Sequence, residues 1–271
     1  MNWGQKLINP VLEKEFRLRM RTVRSTAAML FYLVAMSLLA LGFMYVASNN
    51  YGYNAFNPRR SQELFYFISG AQLVLICFMT PGLTAGVISS EREKQTLNIL
   101  LTTQQSSTTI IISKLISSLS FMVLIILSTL PIYSIVFLFG GVSPGQLVSV
   151  FLFYLFMMIS LGAVGVLMST LFKKTMLAVI LTYGYVLVIC GVTGLLAIFW
   201  AAITSGNSLI PGLLLGVNPM GALISLLNDE FSRDVFNHRV PYLQLWHIFL
   251  VFYTVVTSAA IALSIRYLRR P

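Results

Sequence analysis

Long apolar blocks alternate along this chain with short stretches that hold nearly all of its charge. A bilayer core is crossed by about 20 apolar residues of helix, and each block reaches that length. No charged residue falls between Arg24 and Arg59, so a first span is expected over 26–47. Glu63 and Glu91 bracket a second, over 64–87, interrupted by Pro81-Gly82. From Lys114 to Lys173 the chain carries no charge, which is too long for one crossing. The stretch GGVSPG at 140–145 is turn-forming and divides it into spans over 110–139 and 147–172. Lys173-Lys174 precede a fifth span, over 176–203, and a sixth follows over 244–265. The Gly- and Pro-rich segment 204–228 suits short helices at the membrane surface, or re-entrant ones, better than a regular lipid-exposed helix. The expected fold is an all-α polytopic membrane protein with six transmembrane helices, its 271 residues forming one domain.

Composition agrees with that reading. Charged residues make up 10% of the chain, well below the quarter or so usual in soluble domains, so the bilayer is the solvent. The net charge of +10 does not indicate nucleic acid, because the basic residues sit at the ends of apolar runs and form no concentrated basic face. Of the 18 Lys and Arg residues, 14 fall in the N-terminal segment, the two–three and four–five gaps and the C-terminus, and 4 in the other gaps. By the positive-inside rule both termini are cytoplasmic. The first apolar run is long for a signal-peptide core and lacks a small-x-small cleavage site, so it reads as a retained span. Cys77 and Cys190 lie inside apolar runs, in no CxxC pair and beside no His/Cys cluster, and read as small apolar residues between helices.

Three features bear on function. Residues 1–25 contain an amphipathic helix that starts at Asn9-Pro10, with Lys14, Arg17, Arg21 and Arg24 on one flank and Ile8, Val11, Leu12, Phe16, Met20 and Val23 on the other. It would lie along the inner leaflet, basic flank toward anionic headgroups, or serve only as a positive-inside anchor. Between spans two and three, residues 89–108 begin with four consecutive charges, Glu91-Arg92-Glu93-Lys94. Ser90 and Glu93 have the spacing of a capping box, which predicts a helix of two or three turns with Leu97, Leu100 and Leu101 on one stripe. So short a helix needs a surface for its leucines, either the membrane or a partner protein. Finally, no Asp, Glu, Lys, Arg or His occupies the central part of any span, and no G-x-x-x-x-G-K-[ST] phosphate loop is present. Ion-driven transport and ATP binding of that kind both lack their residues here.

These stretches resemble the ABC-2 family of ABC-transporter permeases. Asn9-Pro10, Lys14-Glu15, Arg17, Arg21 and Arg24 are similar to the family's pattern before the first span. Glu91-Arg92-Glu93, Thr96-Leu97, Leu100-Leu101-Thr102-Thr103, Ser106 and Lys114 are similar to its segment between spans two and three. The departures are Gln95 where glycine is usual, Gln104 where proline is usual, and Ser113 where glycine often precedes the lysine.

The resemblance implies a connecting (elbow) helix at the N-terminus and a coupling helix at 91–101. Glu91, Arg92, Glu93, Thr96, Leu97, Leu100 and Leu101 would dock that helix on a separate ATP-binding subunit, and 172–175 would make a smaller contact. It implies outer-face short helices at about 209–227 within the extracytoplasmic segment 204–243, a second permease, identical or homologous, and export across a bacterial plasma membrane. This chain would bind no cofactor, ATP and Mg being held by the partner, and would not itself be an enzyme. The substrate is left open.

Two other readings compete. A serine protease of six spans could use Ser143 and His247, but Ser143 reads as a turn residue. A non-transporting sensor or scaffold on the same fold could use the aromatic-rich loop 49–67, although such residues commonly anchor span ends.

Overall fold

A computed structural model describes residues 23–51, 58–96, 106–138, 140–204, 208–236 and 242–268. Among them every regular element is helical. The elements are α1 (Val23–Tyr51), α2 (Pro58–Thr84), α3 (Ser89–Glu93), α4 (Ser107–Ser128), α5 (Leu130–Leu138), α6 (Pro144–Leu171), α7 (Thr175–Leu187), α8 (Thr193–Thr204), α9 (Ile210–Val217), α10 (Pro219–Leu227), α11 (Asp229–Val235) and α12 (Leu245–Tyr267). A π-turn, Val188–Val192, joins α7 to α8.

Six stretches among the described residues are long and apolar enough to cross a membrane: Thr26–Val46, Arg60–Glu93, Ser107–Phe137, Pro144–Leu171, Thr175–Thr204 and Leu245–Tyr267. They follow the hydropathy blocks closely. The second runs furthest beyond its expected end, because helical geometry persists into the charged residues that follow it. The Gly/Pro-rich segment becomes α9 and α10, bent by 97° at Asn218.

The breaks have local causes. Pro131 has no N–H to continue the ladder, so α4 ends at Ser128 and Thr129 begins a new turn, its Oγ1 donating to the Ile126 carbonyl at 2.7 Å. At 140–145 both Gly140 (φ +78°) and Gly141 (φ +87°) are left-handed. Ser143 then caps α6 in a reciprocal box with Gln146, and Pro144 occupies the first turn.

Span four is the hub, packing against spans two, three, five and six. Spans three and four bury 67% of their central windows against 11% for spans one and five, so the latter two lie at the edge of the bundle. The interior is not wholly apolar. Tyr154 donates to the Ser69 carbonyl at 2.8 Å, and Gln72 donates to the Thr129 hydroxyl at 3.2 Å. Such bonds between spans satisfy groups for which hydrocarbon offers no partner.

Gly165 lets span four cross span two closely: a Cβ there would collide with the Thr84 side chain and press on the Ala85 backbone N–H. Gly165→Val is expected to destabilise the folded protein by about 1–3 kcal/mol, the usual cost of overpacking. Thermal unfolding in detergent, read as a lowered midpoint against wild type, checks it.

A candidate coupling site at the charged end of the bundle

Between α2 and α3 the chain keeps helical turns without a clean break. Thr84 leads through a turn in which the Ser90 N–H still reaches the Gly86 carbonyl at 3.0 Å, and the Arg92 N–H reaches Ile88 at 3.0 Å. The residue before α3, Ile88, is helical (φ −96°, ψ −43°). A capping box needs extended backbone at its first position, so the Ser90–Glu93 box expected from the sequence does not form. Span four supplies the cap instead. Ser169 Oγ accepts the N–H groups of Ile88 (2.8 Å) and Ser89 (2.9 Å) and donates to Ser89 Oγ (3.2 Å).

The charges that follow are spent on neighbouring helix ends. Glu91 pairs through Oε1 with the Lys114 ammonium at the head of span three, while its Oε2 is buried without a hydrogen-bond partner. Arg92 donates from Nη1 to the Thr170 carbonyl at 3.2 Å. That carbonyl belongs to the last turn of α6, where an intrahelical partner is missing and a cation meets the negative end of the helix dipole. Glu93 accepts the backbone N–H of Thr175 and its hydroxyl proton, both at 2.8 Å. Thr175 is the first residue of α7, and its N-cap residue, Lys174, makes no side-chain cap. A carboxylate delivered from span two therefore caps span five, where the dipole is positive.

α3 ends immediately afterwards. Gln95 is left-handed (φ +59°), its N–H reaching the Arg92 carbonyl at 3.1 Å and the Thr96 N–H reaching Glu91 at 2.9 Å. This is the double hydrogen bond of a Schellman ending, with glutamine in the position that favours glycine. The Thr96 hydroxyl also donates to the Glu91 carbonyl, at 3.2 Å. The helix expected to run unbroken from Ser90 to Leu101 is thus closed after Glu93. Leu97, Leu100 and Leu101 lie outside the described residues, as do Lys14, Arg17 and Arg21. Arg24 falls in the first turn of α1, its side chain outside the described set. Chain resumes at Ser106, whose Oγ accepts the Thr109 N–H at 3.1 Å and caps span three.

The run thus joins the ends of spans two, three, four and five through Lys114, Ser169, Thr170 and Thr175. A profile of a known family, described as an ABC-2 family transporter protein, matches residues 9–270 of this sequence. The chain belongs to the ABC-2 transporter family. No curated relative matches it. The ABC-2 assignment makes it a multi-pass membrane permease of the ABC-transporter kind. Lys114 was visible in the sequence as part of the family pattern, and 172–175 as a minor contact. Ser169 carried no signal, since a serine in an apolar run has no marker of what it will cap.

Three substitutions test the permease's anchoring. Glu91→Ala leaves the nearly buried Lys114 ammonium without its carboxylate. The expected loss is on the order of 2–3 kcal/mol, less than for a fully buried pair because Glu91 retains some solvent contact. Glu91→Ala with Lys114→Met should recover part of that loss in the same unfolding assay. Gln95→Gly removes the left-handed strain and is expected to stabilise by about 1 kcal/mol, read as a higher unfolding midpoint or slower amide exchange around Lys94–Thr96.

Proposed function

We propose that this chain is the membrane subunit of an ATP-driven exporter, driven through residues 89–108 by separate ATP-binding subunits that hold ATP and Mg. Two permeases, identical or homologous, form the path. The observation that carries the reading is the engagement of Glu91, Arg92 and Glu93 with three neighbouring spans. A push delivered where the chain leaves Gln95 is then shared at once by spans two to five. Within the proposal Leu97, Leu100 and Leu101 fill a groove on the ATPase. Glu91, Arg92 and Glu93 hold the docking segment against the bundle, and Thr96 closes its last turn on the Glu91 carbonyl. The basic flank Lys14, Arg17, Arg21 and Arg24 rests on anionic headgroups of the same leaflet.

The remaining orientation follows from charge. The bias of fourteen Lys and Arg residues to one side favours a cytoplasmic charged end and cytoplasmic termini, with α9 and α10 toward the outer face, and the proposal takes the membrane to be a bacterial plasma membrane. The family assignment and the lack of ionisable residues in the span centres both favour an external source of energy.

Co-expression with the ATP-binding subunits of the same genome, followed by mass measurement of the complex in mild detergent, tests the assembly. Two permeases with two ATPases are expected. Leu97→Asp should lower coupled ATP turnover about tenfold or more, because a carboxylate pressed into an apolar contact costs more than about 1.4 kcal/mol. Failure of every ATPase to bind, or full coupling in Leu97→Asp, would overturn the proposal.

A further inference from the structure

Cys77 and Cys190 lie far apart in sequence, yet their sulfurs stand 4.0 Å apart across spans two and five. Both are free thiols. Cys77 is buried on α2, and Cys190 sits half-buried in the middle of the π-turn. Each is held by its surroundings. The Cys190 carbonyl accepts from Asn218 Nδ2 at 2.7 Å, and the same amide reaches Thr193 Oγ1 at 3.1 Å. The two spans are tied again where Tyr183 donates to the Phe78 carbonyl at 2.8 Å. The thiols therefore face each other across a contact fixed from both sides. A disulfide bond of about 2.05 Å requires the two sulfurs to close by roughly 2 Å.

Both sulfurs line one cavity of about 510 Å³, with Val74, Phe78, Val186 and Leu187 among its apolar walls. We propose that Cys77 and Cys190 form an oxidisable dithiol that a lipid-soluble quinone closes to a disulfide. An oxidant that reaches this pair through an apolar setting must itself be apolar. A lipid-soluble quinone reaches such a pocket through hydrocarbon and accepts two electrons and two protons. Two S–H bonds break, one S–S bond forms, the thiols lose two electrons and two protons, and the quinone gains both to become the hydroquinone. The product is a covalent tie between span two and the π-turn. In the transporter read above, and resting on that reading, the tie holds spans two and five at their present spacing and stops the cycle.

The test treats the purified full chain in phospholipid nanodiscs with tetramethyl-p-benzoquinone, then unfolds it and alkylates free thiols. Wild type is expected to lose both alkylatable thiols and to yield one peptide pair joining Cys77 to Cys190, released by dithiothreitol. Cys77→Ser and Cys190→Ser should each keep one alkylatable thiol, and serine is close enough in size to preserve the fold. Two thiols still alkylated after quinone, or disulfides found only between copies, would overturn the proposal. So would a bond that forms with copper–phenanthroline but not with the quinone. None of these readouts depends on transport, so they stand or fall apart from the exporter reading.

Discussion

A helix that ends in or beside hydrocarbon leaves its terminal N–H and C=O groups without water, and each must find a partner in the protein. At the charged end of this bundle one short run of alternating sign meets that demand for its neighbours. The sequence Glu91-Arg92-Glu93 lies against a lysine at the head of span three, the carbonyl end of span four and the N–H end of span five. Spans four and five meet head to tail through a link too short to separate their ends, so a negative and a positive dipole pole lie side by side. An acid beside a base in sequence is what that pair of poles requires.

The bent pair α9 and α10 solves the same problem with neutral groups. Asn218 at the 97° bend accepts two N–H groups of α10 and donates to the π-turn. Tyr253 reaches the Val217 carbonyl at the end of α9, and Tyr66 reaches Leu227 at the end of α10. Amides and phenols suffice there because α9 and α10 lean on spans two and six, so side chains from rigid helices can reach each terminus.

How much of this was legible in the sequence depends on the range of each interaction. The six spans and the breaks at 140–145 and Lys173-Lys174 are local in origin, set by runs of apolar residues and by Gly and Pro, and the structure follows them. The box at Ser143 and Gln146 is equally local, although the sequence reading took Ser143 only as a turn residue. At Ser90 and Glu93 the same spacing misleads, because helical turns already precede Ser90 and no free helix start exists for the pair to cap. The charges of the run were noticed as unusual, but their partners Thr170 and Thr175 lie about eighty residues further on. Long-range pairings of that kind leave no period in a sequence. The 4.0 Å approach of Cys77 and Cys190 is hidden for the same reason.

The left-handed Gln95 matters beyond its strain. In the Schellman ending the chain turns back over the last turn of α3, and the dihedrals of one residue, Gln95, make that turn. Glutamine pays for that turn in backbone strain where glycine would not, and it leaves the unfolded chain less freedom to lose. In the proposed coupling, Gln95 sets how the chain turns at Thr96 while Glu91, Arg92 and Glu93 anchor the base. A lever needs both properties: a fixed direction for the arm, and an anchorage that does not yield before the spans it is meant to move.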